Sequence, residues 1–143
     1  MKILDLVDDV RSGCKSVLTT MTLEEYKKLS FFAFNNNGNI DGQRSVIKRS
    51  STAAKIRKRM ADDFRKGAIF PQVVLGVLFS TENMQNLDES NFYMLLESVN
   101  EGQISIIDGM QRSNIYFENY EDNKQQKIRV EFWCSDASTK LLY

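Results

Sequence analysis

The spacing of apolar residues predicts one long helix and one buried strand in the middle of the chain. From Ser51 onward, four apolar side chains share a broad helical face: Ala54, Ile56, Met60 and Phe64. Gly67 is placed to end that helix. Residues 72–79 form a continuous apolar run with almost no polar alternation, which is typical of a strand covered on both faces.

Shorter patterns predict the flanking elements. The order Thr22-Leu23-Glu24-Glu25 is a capping box that predicts a helix running through Leu29. Residues 31–34 are predicted to form a strand, which the asparagine-rich segment 35–39 ends as a turn. The period-two alternation of residues 128–133 predicts a half-buried strand, and Asp136 is the predicted N-cap of another helix.

The polar segment between these elements allows two interpretations. Residues 80–90 are predicted to be a loop. Residues 91–98 and 103–107 are predicted to pair as a hairpin, with a helix over residues 88–98 as the alternative.

A strand-to-helix junction carries the strongest chemical signal. Residues 104–107 form the strand, and Asp108-Gly109-Met110-Gln111-Arg112 opens the helix. Backbone N–H groups at a helix N-terminus, with an arginine beside them, can hold a phosphate. The alternative is a tight turn in which Asp108 caps the helix while Arg112 pairs with an acidic neighbour, and spacing alone favours neither.

Composition excludes several classes of enzyme. The 143 residues include no histidine, which removes histidine-based catalytic triads and histidine-ligated zinc. Cys14 and Cys134 lie far apart in sequence and form no CxxC motif, so we expect a reduced, cytoplasmic protein. The acidic N-terminus lacks the pattern of a signal peptide, and apolar runs such as residues 73–79 are too short to span a membrane.

Charge is balanced overall but not locally. Nineteen basic residues match nineteen acidic ones, yet residues 44–66 carry nine basic residues against two acidic ones. Such a helix can neutralise the phosphates of a DNA duplex, and its predicted DNA contacts are Lys48, Arg49, Lys55, Arg57, Lys58 and Arg59. The alternative is a solvated helix whose charges pair with the acidic stretch of residues 82–101.

Residues 107–112 resemble the "IIDGQHR" or "DGQQR" signature of the ParB/sulfiredoxin superfamily. Within it, the DGQHR-domain proteins include regulators of DNA phosphorothioation and neighbours of restriction systems. The upstream order of Gln43-Arg44, a helix and then residues 69–75 is similar to that family's "QR … helix … FPxxxVL" arrangement. The resemblance covers about residues 40–133, with Met110 where the family usually has glutamine.

The resemblance implies an α+β fold, with a ParB/sulfiredoxin-like mixed sheet and flanking helices. The length of 143 residues predicts one such domain, and the apolar residues 141–143 at the end of the sequence predict that it is the N-terminal part of a longer protein. By the same resemblance, Asp108 and Arg112 would be the catalytic residues of this domain. A phosphate or nucleotide would be bound by Gln43, Arg44, Gly109, Gln111 and Arg112.

The expected function is that of a DNA-associated regulatory or processing domain in a prokaryotic DNA-modification, restriction or mobile-element system. The alternative is a nucleoside triphosphatase of the ParB-like type, which would use a nucleotide with Mg²⁺ and take Asp108, Asp41 or Glu118 to activate water. The sequence contains no GxxxxGK[ST] loop, so this alternative depends on the family resemblance. The expected partners are DNA and, for the alternative, a nucleotide, with no membrane.

Overall fold

A computed structural model describes residues 1–40 and 51–141, with an α+β fold. In this part of the chain five strands form one sheet, in the order β1-β2-β5-β3-β4. β3 and β5 are parallel neighbours, whereas the other neighbours are antiparallel. The strands are β1 (Lys2–Asp9), β2 (Cys14–Thr22), β3 (Val73–Leu78), β4 (Ile104–Asp108) and β5 (Lys127–Ser135). The prediction of a mixed sheet flanked by helices is confirmed.

The described helices occupy the connections between strands. They are α1 (Leu23–Asn35), α2 (Ser51–Arg65), α3 (Thr81–Asn86), α4 (Phe92–Ser98) and α5 (Met110–Glu118). The buried residues of these helices and of the sheet form one hydrophobic core. No helix among the described residues is both long enough and apolar enough to cross a lipid bilayer.

Helix α1 begins as predicted but extends further. The Thr22 hydroxyl accepts a hydrogen bond from the Glu25 amide at 3.2 Å, and the Glu25 carboxylate accepts one from the Thr22 amide at 3.2 Å. The strand predicted for residues 31–34 is wrong, because these residues continue the helix. Its buried face continues through Ser30 and Ala33, at helical spacing from Tyr26.

The predicted hairpin after β3 is also wrong. The loop predicted for residues 80–90 is wrong in part, because these residues contain α3. That helix begins where the Ser80 hydroxyl accepts a hydrogen bond from the Asn83 amide at 3.1 Å. Residues 92–98 form α4, as in the helical alternative, because Phe92 and Leu96 lie one turn apart and both are buried.

Helix α2 ends where predicted, but its buried face differs. Gly67, with φ +91°, follows the helix and its amide donates to the Phe64 carbonyl at 2.9 Å. Ala61 and Phe64 are buried, whereas Ala54 is exposed and Ile56 is 55% exposed. The prediction that Ala54 and Ile56 belong to the core-facing side is therefore wrong.

The C-terminal elements agree only partly with prediction. β5 is present, and Cys134 at its end is buried, which raises the pKa of that thiol. Asp136 does not begin an α-helix, since Ser138–Leu141 form a 3-10 turn. The Asp136 carboxylate instead accepts a hydrogen bond from the Lys140 ammonium at 3.1 Å.

Candidate functional site

The junction between β4 and α5 has the predicted strand–turn–helix form. Gly109 lies between the two elements with φ +115°, in a region that favours glycine. A Cβ atom at this position would lie 2.1 Å from Cγ1 of Val73. Packing against β3 and the backbone conformation both require glycine at this position. A bound ligand is not needed to explain it.

Arg112 is held by protein groups at this turn. Its Nη2 donates to the Gln72 carbonyl at 3.0 Å and to the Asp108 carboxylate at 3.1 Å. The Arg112 side chain is 20% exposed and that of Asp108 is 69% exposed. The acidic pairing of Arg112 therefore exists as in the tight-turn alternative, but Asp108 does not cap the helix, because Gly109 is the N-cap and no side chain bonds there.

A buried polar cluster lies close to Arg112. The hydroxyls of Tyr26 and Ser113 are 2.6 Å apart, and the Ser30 hydroxyl donates to the Tyr26 carbonyl at 2.7 Å. Burial raises the pKa of Tyr26 to about 12 and also raises that of Tyr116, while the positive charge of Arg112 opposes both shifts. These tyrosines therefore stay protonated at neutral pH and give the turn no general base.

The turn assembles part of the predicted site. Asp108, Gly109 and Arg112 come together, and Gln111 is exposed in the first turn of α5. Glu118 lies at the other end of α5, where its carboxylate accepts from the Asn114 amide at 3.0 Å. The predicted residues Asp41, Gln43 and Arg44 lie outside the described residues.

The electrostatics of this turn limit its affinity for anions. The exposed Asp108 carboxylate lies beside the guanidinium and offsets its positive charge. The Nε atom of Arg112 is buried and has no hydrogen-bond partner among the described residues.

Within residues 1–40 and 51–141, no three acidic or cysteine side chains are grouped to hold a metal ion.

We expect Arg112→Ala to lower the free energy of unfolding by about 1–3 kcal/mol, because the Gln72 carbonyl loses its charged donor. The cost stays below that of breaking a fully buried ion pair, since Asp108 remains hydrated. Chemical denaturation measures the change, and Gln111→Ala, at an exposed neighbour, should stay within about 0.5 kcal/mol. Equal stability of the two variants would contradict a structural role for Arg112.

The basic residues of α2 lie on two sides of the helix. Lys55, Lys58 and Arg59 are exposed, on the side away from the buried residues Ala61 and Phe64, and Lys66 is exposed directly after the helix. Arg57 is half-buried on the packed side, so this predicted DNA contact does not belong to the exposed face. The predicted contacts Lys48 and Arg49 lie outside the described residues.

Apart from Arg65, the exposed cations of α2 take no part in the ion pairs among the described residues, although Asp62 and Asp63 lie on the same side of the helix. These ion pairs do not include Lys55, Lys58, Arg59 or Lys66, and they do not join α2 to residues 82–101. Arg65 instead binds Asp62 at 2.7 Å and the side-chain oxygen of Asn119 at 2.6 Å. The C-terminal end of α2 thus contacts the end of α5 opposite the Gly109 turn.

A groove runs along the outer side of α1, where Phe31 and Phe32 are partly exposed. It is a shallow groove, widely open to solvent, with a volume of about 480 Å³, and we call it the α1 groove. Its lining comprises Lys27, Lys28, Phe31, Phe32, Asn35 and Tyr120, with Glu101 at one side. The sequence of residues 31–34 favours buried packing, with base stacking as the alternative. A helical interpretation of these residues could have found the groove, because Tyr26, Ser30 and Ala33 then point inward and Phe31 and Phe32 outward.

Comparisons with family models, with curated proteins and with solved structures found no match to this chain. The resemblance to DGQHR-domain proteins therefore remains a prediction from residues 43–44, 69–75 and 107–112. The structure places this protein in the α+β class. It has an exposed basic face on α2, and Arg112 at the turn between β4 and α5 forms an ion pair with Asp108.

Proposed function

We propose that this chain is a DNA-associated regulatory or processing domain of a prokaryotic DNA-modification, restriction or mobile-element system, and that α2 contacts the phosphates of duplex DNA. One observation carries the DNA contact. Lys55, Lys58 and Arg59 share the exposed face of α2, Lys66 follows directly after the helix, and the described ion pairs include none of the four. With Asp62 and Asp63 on the same side, this face keeps a net positive charge. The modification or restriction context comes from the family resemblance.

The length of this face suits a duplex. From Lys55 to the last residue of α2, Arg65, is ten positions, or about 15 Å along the helix, and Lys66 follows directly. A duplex carries one negative charge per roughly 1.7 Å of axis, so several phosphates lie within reach of these four cations. Contacts of this kind release counterions and carry no base information, so binding should be steeply salt-dependent and tolerant of sequence.

Reversing three charges on this face tests the proposal. We expect Lys55→Glu/Lys58→Glu/Arg59→Glu to weaken duplex binding by roughly ten- to a hundredfold and to reduce the salt slope by about three. Fluorescence anisotropy with two unrelated duplexes at several salt concentrations measures both quantities. The fold should survive, because these side chains are exposed.

A matched control carries the same change in net charge elsewhere. Lys2→Glu/Lys127→Glu/Arg129→Glu reverses three exposed cations on β1 and β5. If both triple variants lose the same affinity, the interaction reflects overall charge and the assignment to α2 is wrong.

Nucleotide hydrolysis at residues 108–112 has less support. Arg112 is engaged by Gln72 and Asp108, and the exposed carboxylate of Asp108 disfavours a second anion. Glu118, a candidate for activating water, lies at the opposite end of α5. Duplex binding is therefore the function that the described geometry supports best.

A further inference from the structure

We propose that the α1 groove binds an unpaired base of a single-stranded nucleic acid, with the base stacked on Phe32 and the adjoining phosphates held by Lys27 and Lys28. This is a second site, distinct from the face of α2 that contacts duplex DNA. It rests on an exposed aromatic surface and lysine ammonium groups that meet in one groove of about 480 Å³.

The aromatic surface of the groove is exposed, and the ring of Phe31 within it is packed against Phe117. Phe31 is 40% exposed and Phe32 is 38% exposed. The ring of Phe117 packs edge-on against Phe31, with centroids 5.4 Å apart, and against Phe34 at 5.0 Å. This packing holds Phe31 in place before a ligand arrives, and Phe32 lies beside it on the exposed side of α1.

Cations are placed at the same surface. The Lys27 ammonium lies 4.8 Å from the Phe31 ring centroid and 4.0 Å from that of Tyr120. Lys124 lies 5.4 Å from the Tyr120 centroid, although Glu121 pairs with it at 3.4 Å. Glu101 is the acidic residue of the lining, against Lys27 and Lys28, so the groove is positive on balance.

An unpaired nucleotide matches this combination better than a duplex does. Aromatic side chains stack on bases whose faces are free, and nearby cations follow the phosphates. A duplex keeps its base faces stacked, so it could use the lysines but not Phe32. Asn35 in the lining offers an amide donor and acceptor to the edge of a stacked base.

The groove lies close to the C-terminal end of the basic helix. Arg65 of α2 donates to the Asn119 side chain at 2.6 Å, and Tyr120 of the groove is the next residue. A strand that leaves a duplex held by α2 would therefore find the groove within reach. This position suits a domain that acts where DNA is locally unpaired.

The test compares two oligomers of equal charge. A fluorescein-labelled oligothymidine of about 12 nucleotides carries bases, whereas an abasic strand of the same length keeps the phosphates alone. We expect the natural chain to prefer the oligothymidine, and Phe32→Ala to weaken oligothymidine binding about five- to a hundredfold while binding of the abasic strand is unchanged. Tyr93→Ala removes an exposed aromatic residue of α4 and should leave both affinities unchanged.

The outcomes separate this proposal from the one for α2. Equal affinity of the natural chain for the two oligomers, or equal oligothymidine binding by the Phe32 and Tyr93 variants, would overturn the base site, whatever duplex binding shows. Loss of duplex binding in the α2 triple variant bears on α2 alone. Saturable binding of an oligoglutamate peptide, abolished by Phe32→Ala, with no preference for the oligothymidine, would assign the groove to an acidic peptide and refute the proposal.

Discussion

Replacing Gly109 with alanine should lower the free energy of unfolding by about 3–5 kcal/mol. The added Cβ would lie 2.1 Å from Cγ1 of Val73 and 3.3 Å from its Cα, so β3 or the turn must move. The backbone at φ +115° adds strain that alanine cannot relieve locally. Urea denaturation followed by circular dichroism measures the loss.

Two further variants separate the steric cost from the backbone cost. Gly67 also has positive φ, +91°, but a Cβ atom added there would meet nothing within 4 Å, so Gly67→Ala should cost only about 1–2 kcal/mol. Adding Val73→Ala to Gly109→Ala should make the double variant more stable than the sum of the single losses implies. Equal losses at the two glycines would show that contact with β3 does not dictate Gly109.

The contact between Gly109 and Val73 affects how the motif at residues 108–112 is interpreted. A glycine before a helix can let a phosphate approach the backbone, or it can let one strand approach another. The contact with Val73 supplies the second reason, and the bonds of Arg112 to Gln72 and Asp108 occupy the nearby cation. Asp108, Gly109 and Arg112 therefore help to hold β3, β4 and α5 together.

The long periodic elements could be predicted from the sequence. The continuous apolar run of β3 and the alternation of β5 match their observed strands, since each pattern extends over enough residues to separate strand from helix. The junction of β4 with α5 could be predicted because glycine marks the change of element. The capping box likewise located the start of α1.

The elements that the sequence patterns did not predict are stabilised by tertiary contacts. Residues 31–34 have strand-like composition, but α1 continues because Ala33 is buried on the same face as Tyr26 and Ser30. The N-terminal hairpin of β1 and β2 was not predicted. β1 is an edge strand without regular alternation of burial, and pairing with β2 holds it in place.

The candidate sites could also be predicted only in part from the sequence. The basic stretch and the glycine turn are contiguous in sequence, so composition and spacing could locate them. The sequence does not show which side of α2 packs on the core, and therefore which cations are exposed. Arg57 lies on the packed side and is not among the proposed DNA contacts. The α1 groove also needs Tyr120, almost 90 positions beyond Phe31, so local patterns could not reveal it.

The proposed DNA contact depends on how α2 is anchored, and Phe64 provides that anchor. Phe64 is fully buried, with ring centroids 5.1 Å from Tyr116 and 5.9 Å from Phe70, and the Gln126 amide donates to its carbonyl at 3.1 Å. Tyr116 in turn packs edge-on against Tyr26, with centroids 6.0 Å apart. The inner face of α2 is thereby continuous with the packing of α1 and α5.

Phe64→Ala should lower the free energy of unfolding by about 3–5 kcal/mol, because it removes a buried ring and leaves a cavity beside Tyr116. Ile56→Ala is the matched control on the same helix, and at 55% exposure it should change stability by less than about 0.5 kcal/mol. Denaturant titration of both variants measures the difference. A loss below about 1 kcal/mol at Phe64 would mean that this face of α2 is not packed on the core, and Lys55, Lys58 and Arg59 could then no longer be assigned to the outward side.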